Sequence, residues 1–136
     1  MITVHTHSRT ELVEITAEVR QVVNHALPGG NGICLIYVPH TTAGVTINEN
    51  ADPDVARDIL KTLDTLVPFE AGYRHREGNS AAHIKASLVG TSQTVAVENG
   101  RLILGTWQGI FFCEFDGPRT RKVLLRCIAA IEDRHP

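Results

Sequence analysis

The chain carries no basic excess. Thirteen lysines and arginines stand against fifteen aspartates and glutamates, a formal charge of −2 over 136 residues. A protein built around nucleic acid concentrates positive charge to displace counterions from phosphates, so nucleic acid is excluded as the main partner. Long apolar runs are missing too. No stretch reaches the roughly 18 residues that cross a bilayer, so no membrane partner is expected. Residues 1–7 show no basic segment followed by an apolar core, and no Asn-x-Ser/Thr acceptor occurs, so no secretory leader is expected. Cysteine is scarce and odd in number. Cys34, Cys113 and Cys127 each sit in an apolar run, and no two are spaced like zinc ligands. They read as small buried thiols in a reducing compartment, which places the protein in the cytoplasm. Also absent are a phosphate-binding glycine loop, a dinucleotide fingerprint and a serine-nucleophile elbow. There is no internal repeat, low-complexity tract or linker.

What remains is one domain of ordinary size, residues 1–136, too short for a (β/α)₈ barrel of about 250 residues. A chain of this length buries roughly 68–70% of its unfolded surface and needs no metal or disulfide to fold. At 43% hydrophobic and 21% charged it is globular.

Residues 2–15 mix apolar residues with Thr and Val, as one or two strands do. Thr16 suits the cap of a helix reaching Leu27, with Val19, Val22, Val23 and Ala26 on one face. Residues 28–32, rich in glycine, form a turn, and the apolar run 33–38 predicts a strand buried on both faces. Residues 45–47 suggest a short strand. Asp52-Pro53-Asp54 starts a second helix with Val55, Ile59, Leu63 and Leu66 on one face, and Pro68 ends it. Asn79 or Ser80 caps a third helix ending at Gly90. Residues 94–104 read as a hairpin about Asn99-Gly100, and 110–115 and 122–131 add two strands. Strands and helices are segregated, which predicts an α+β fold.

Seven histidines in a chain this short raise the question of which ones the fold gathers. Three stretches concentrate chemistry. The first runs from Pro39-His40-Thr41-Thr42 to Asn48-Glu49-Asn50-Ala51-Asp52, although Asp52 serves equally as a helix cap. The second is residues 73–87, where His83 and Ser87 are four apart on one helix face, with Ile84 and Leu88 turned to the core. His75 precedes them in a loop. The spacing of eight between His75 and His83 is not that of a metalloprotease helix. The third is residues 105–119. There Trp107 reads as a core residue, Gln108 stands at a strand start, and Glu114 in an aromatic strand reads as solvent-facing. Asp116-Gly117-Pro118 reads as a tight turn. Arg119 offers a fork for phosphate or carboxylate, and Arg119, Arg121 and Lys122 otherwise read as a solvated rim. His5, His7, His25 and His135 have no polar cluster beside them and read as surface residues.

Together, the segments 39–44, 47–54, 73–90 and 104–119 resemble the YjbQ-like family, also described as secondary thiamine-phosphate synthase enzymes. The resemblance implies a single α+β domain with an antiparallel or mixed β-sandwich or barrel-like core and about three helices, assembled as a homotrimer. It implies weak thiamine-phosphate synthase activity, joining a pyrimidine-methyl diphosphate to a thiazole phosphate, with a divalent metal. His40, His75 and His83 would hold the metal, zinc by ligand type; magnesium would prefer carboxylates. Glu49, Asn50, Asp52, Gln108 and Asp116 would be catalytic. Asn79, Lys85, Ser87 and Arg119 would bind the phosphorylated substrate. Two other readings use the same parts: a metal-dependent hydrolase of phosphorylated metabolites, and a non-enzymatic metal- or ligand-binding trimer.

Overall fold

The computed structural model describes residues 1–131; His135 lies outside the described residues. Eight strands and three helices follow in the order β1 (Ile2–His5), β2 (Glu11–Glu14), α1 (Thr16–Ala26), β3 (Gly32–Tyr37), β4 (Ala43–Glu49), α2 (Pro53–Leu66), α3 (Ser80–Val89), β5 (Ser92–Glu98), β6 (Arg101–Leu102), β7 (Gln108–Glu114) and β8 (Thr120–Ala129). They form two antiparallel sheets, one of five strands in the order β1-β8-β3-β5-β6 and one of three in the order β2-β7-β4. The α+β expectation holds, and residues 2–15 give two strands that join different sheets.

The main core fills the space between the sheets. Val4, Cys34, Ile36, Val95, Val97, Val123 and Leu125 come from the five-stranded sheet; Ala43, Val45, Ile110 and Phe112 come from the other; Val19 and Val23 of α1 complete it. A second cluster lies beyond the three-stranded sheet, where Ala82 and Ala86 of α3 meet Cys113 and Phe115, with Leu60 and Leu63 of α2 packed alongside. The layers therefore run sheet, sheet, then α2 and α3, with α1 packed on the core between the sheets. This order explains β7. Covered on both faces, its residues 109–114 are all buried, so alternation disappears.

It also corrects several expectations. Glu114 is fully buried, because β7 has no solvent face. The strand at 33–38 is buried on one face only. Cys34 and Ile36 point inward, while Ile33 and Tyr37 remain about 40% exposed, because none of the described elements covers the outer face of the five-stranded sheet there. Ile84 and Leu88 face outward, and α3 packs instead through Lys85 and through Ala81, Ala82 and Ala86, whose small side chains allow close approach. Leu66 is exposed at the end of α2. Trp107, 62% exposed in the β6–β7 loop, is not a core residue.

Turns and caps follow local chemistry. Asp52 accepts a hydrogen bond from the Asp54 amide and caps α2. Asn99 and Gly100 both take positive φ, as a two-residue hairpin turn requires. Thr16 is already inside α1; its hydroxyl donates to Glu14 and accepts from the Ile110 amide, tying the helix to β7. Gly44 is fixed by packing, since a Cβ there would lie 2.5 Å from the carbonyl oxygen of Gly90 at the end of α3.

Candidate functional site

A cleft of about 990 Å³ opens where the β3–β4 loop, the α2–α3 loop with α3, and the β7–β8 loop converge. That volume is at the upper end for a small-molecule site. His40, His75 and His83 all line it, with Asn79, Ser87, Asp116 and Arg119. Three imidazoles distant in the chain thus share one solvent-open wall.

Each side chain is placed by its element. His40 follows β3, and its Nε2 accepts a hydrogen bond from the Lys122 amide of β8 at 3.0 Å. Burial, and next the Arg121 guanidinium, hold its pKa below the ordinary histidine value. The ring is therefore neutral at pH 7, and with Nε2 accepting, the proton sits on Nδ1. His83 stands one turn into α3, and Ser87, one turn further, donates to the His83 carbonyl at 2.9 Å. His75 folds back from the loop. Its ring meets that of His83 edge to face with centroids 5.4 Å apart, and its Nε2 lies 3.9 Å from Glu77.

Asp116 anchors the β7–β8 loop of the cleft. Its Oδ2 accepts from Asn79 Nδ2 at 2.9 Å and from Arg119 Nη2 at 3.0 Å, and its backbone carbonyl accepts from Arg119 Nε at 2.8 Å. Asn79 occupies the N-cap position of α3 without a side-chain cap bond: its buried Oδ1 has no hydrogen-bond partner among the described residues, and its Nδ2 donates to Asp116 of the β7–β8 loop. The same bond locks that loop against the helix bearing His83.

Five predicted site residues lie elsewhere. Glu49 and Gln108 are register partners at the far end of the β4–β7 pair, whereas Ala43 and Glu114 are partners at the cleft end. Six residues of extended chain separate the two ends by about 20 Å. Asn50 there ties β4 to Glu14 at 2.9 Å, Gln108 accepts from the Gly105 amide at 2.8 Å, and Asp52 caps α2. Lys85 is on the other side of α3. It is buried and paired with Asp64 of α2 and does not line the cleft. Within one chain these five do not join the histidines.

Sequence reasoning missed Glu114 and Arg121. Arg121, expected on a solvated rim, is buried, lines the cleft and pairs with Glu114 through Nε at 2.9 Å and through Nη2. A carboxylate inside an apolar strand with an arginine just past the next turn was the available signal. Burial by itself would push Glu114 up, but hydrogen bonds from Arg121, Thr6 and the Asp116 amide hold it below its ordinary value.

The donors do not form a ready metal cage. Among the described residues no group of three His, Cys, Asp or Glu is arranged to hold a metal ion. His40 Nε2 is engaged by the Lys122 amide, which leaves the His75–His83 pair without that nitrogen as a third donor. The three-imidazole zinc site expected from the resemblance is not preformed among the described residues.

Two antiparallel sheets backed by helices, with a histidine-bearing polar cleft at one strand end, define a small α+β domain whose site is built on loops. The sequence profile described as "UPF0047 protein YjbQ-like" matches residues 1–130, and the chain belongs to that family. It is 57% identical over 124 residues to UPF0047 protein YugU of Bacillus subtilis, covering 90% of this chain and 93% of the relative. It is 53% identical over 125 residues to UPF0047 protein MJ1081 of Methanocaldococcus jannaschii, covering 92% and 90%. A crystal structure of an uncharacterized YjbQ/UPF0047 protein of Clostridium acetobutylicum superposes with a TM-score of 0.91 at 53% identity, covering 93% and 98%. A YbjQ-like protein of unknown function from Sulfolobus solfataricus superposes with a TM-score of 0.90 at 36% identity, covering 95% and 94%. No described helix is long and apolar enough to cross a membrane.

Proposed function

We propose that the cleft binds a phosphorylated small molecule and transfers a group from it, with the histidine pair moving the proton. One observation carries this reading: three imidazoles from distant parts of the chain line one open cleft with Arg119 and Arg121. Guanidinium groups recognise phosphate oxygens through fixed donors. Imidazoles titrate near neutrality and exchange protons with a reacting group.

The specific reaction implied by the resemblance is thiamine-phosphate synthesis. The thiazole nitrogen attacks the methylene carbon of the pyrimidine substrate, and the carbon–oxygen bond to the diphosphate breaks. The diphosphate leaves with the bonding electrons. Arg119 and Arg121 would stabilise its growing charge, His75 or His83 would supply a proton to it, and neutral His40 would orient substrate through its Nδ1–H. A homotrimer and a divalent ion belong to the same proposal.

The test compares pyrophosphate release from the pyrimidine-methyl diphosphate with and without the thiazole phosphate. Release that requires the thiazole, with a new carbon–nitrogen bond in the product, supports transfer; release without it assigns hydrolysis. His75→Ala and His83→Ala should each cost about 100-fold in turnover at an unchanged melting temperature. Wild-type turnover in both variants, or no turnover in the wild type, overturns the enzymatic reading. Metal analysis of wild type beside His40→Ala completes it. Stoichiometric zinc lost in a folded variant would establish the ion.

A further inference from the structure

We propose that the buried Glu114–Arg121 pair is a positioning device for the cleft, holding the β3–β4 loop that carries His40 and the β7–β8 loop that carries Asp116 and Arg119 in fixed relation. The inference deepens the functional reading above, and rests on it for the identity of the ligand.

The bonding around one carboxylate supports this. Glu114 is fully buried and collects donors from three separate segments. Its Oε1 accepts from the Thr6 hydroxyl at 2.8 Å and from Arg121 Nε at 2.9 Å. Its Oε2 accepts from the amides of Phe115 at 3.1 Å and Asp116 at 3.2 Å, and from Arg121 Nη2. The two amides fix the backbone where it leaves β7 and enters the loop bearing Asp116. Thr6 passes the constraint on, since its hydroxyl also accepts from the Arg119 amide at 2.8 Å. Arg121 carries it the other way. Its Nη2 donates to the Thr42 hydroxyl at 2.9 Å, two residues from His40. Both cleft loops therefore hang from a single anion.

Stability alone does not require such a pair. Replacing a buried ion pair by apolar residues of similar volume is often neutral or stabilising. Charge here serves geometry: a guanidinium is a planar fork that can engage two partners at fixed angles, and a carboxylate accepts several donors at once. An apolar pair would fill the space without setting the loops. His40 is seated by the same strand, since the Lys122 amide beside Arg121 donates to its Nε2 at 3.0 Å. His75, His83, Glu77 and Asp116 share its cleft.

The experiment uses the full chain and two mild variants. Thr42→Val removes the hydroxyl that receives Arg121 and leaves the ion pair intact. Arg121→Lys keeps the charge but replaces the fork with a single point. The readouts are amide hydrogen exchange in the two cleft loops, residues 39–43 and 115–119, followed by NMR without ligand, and pyrophosphate affinity by calorimetry. In Thr42→Val the melting temperature should stay within about 5 °C of wild type, the scale of one hydrogen bond. Amides within residues 39–43 should exchange about 10-fold faster as their loop loosens, and pyrophosphate should bind about 10-fold more weakly. Arg121→Lys should repeat both changes. If Thr42→Val folds and both loops exchange as in wild type, the pair is structural only and the proposal is overturned, whatever Arg121→Lys does. If the wild type fails to bind pyrophosphate, the phosphorylated-ligand reading falls, while the loop exchange rates still decide the positioning role.

Discussion

At the scale of single residues, the deciding feature is which polar groups the fold buries. Glu114 and Arg121 are the case in point. Glu114→Ala leaves a buried guanidinium without its partner and should cost about 3–5 kcal/mol, read as a shift in denaturant midpoint at constant slope. The double change Glu114→Gln/Arg121→Met removes both charges and should lie far closer to wild type. Equal losses in the two proteins would show that the fold, rather than the cleft, depends on the pair. The cysteines obey the same rule in an apolar setting. Burial pushes the Cys113 thiol up to about 12, and burial with neighbouring Cys127 does the same for Cys34. Neither offers a thiolate near neutrality, in keeping with their reading as small apolar fillers.

At the scale of elements, local signals read well and layer order did not. Asp52-Pro53, Asn99-Gly100 and Gly90 mark a helix start, a hairpin and a helix end by chemistry confined to a few residues, and all three stand where expected. Whether a strand is covered on one face or two depends on elements far along the chain. That is why the apolar run 33–38 predicts a doubly buried strand and Glu114 reads as solvent-facing, whereas β3 is buried on one face and Glu114 is enclosed in β7. The candidate site divides along the same line. The histidine cleft gathers the loops at one end of the β4–β7 pair, while Glu49, Asn50 and Gln108 sit at the other, because a strand of seven residues separates them. Sequence neighbourhood gives no measure of that span. The packing of α3 on β4 is testable through Gly44. Gly44→Ala sets a methyl against the Gly90 carbonyl, so the helix must shift, at a cost of about 1–3 kcal/mol. Because α3 carries His83 and Ser87, pyrophosphate affinity should fall with it; a stable variant with unchanged affinity would show that the helix tolerates the displacement.

At the scale of the whole molecule, two buried or half-buried titrating groups work in the same direction. Glu114 has a folded pKa below its unfolded value, so it stabilises the fold above the ordinary glutamate range. That contribution is lost as pH falls through the depressed folded value. His40, also lowered, stabilises above the ordinary histidine pKa, and its contribution fades as pH drops through its folded value. Melting temperature should therefore decline in two stages, first below about pH 6.5 and again below about pH 4.3. Glu114→Gln should abolish the second stage's share from this site, and an unchanged acid profile in that variant would refute the assignment. The outer face of the five-stranded sheet, with Ile33, Tyr37 and Ile128 exposed, is the surface to watch in sedimentation measurements of the proposed trimer.

The amino terminus has a part in this that its position hides. Through β1 it forms the edge beside β8, and through Thr6 it reaches the carboxylate beneath both cleft loops. Deleting the first seven residues should therefore weaken pyrophosphate binding as surely as a change at the histidines, by at least 10-fold, even where the remaining chain still folds. Losing this short edge strand would thus take a hydroxyl from beneath a centre more than thirty residues away.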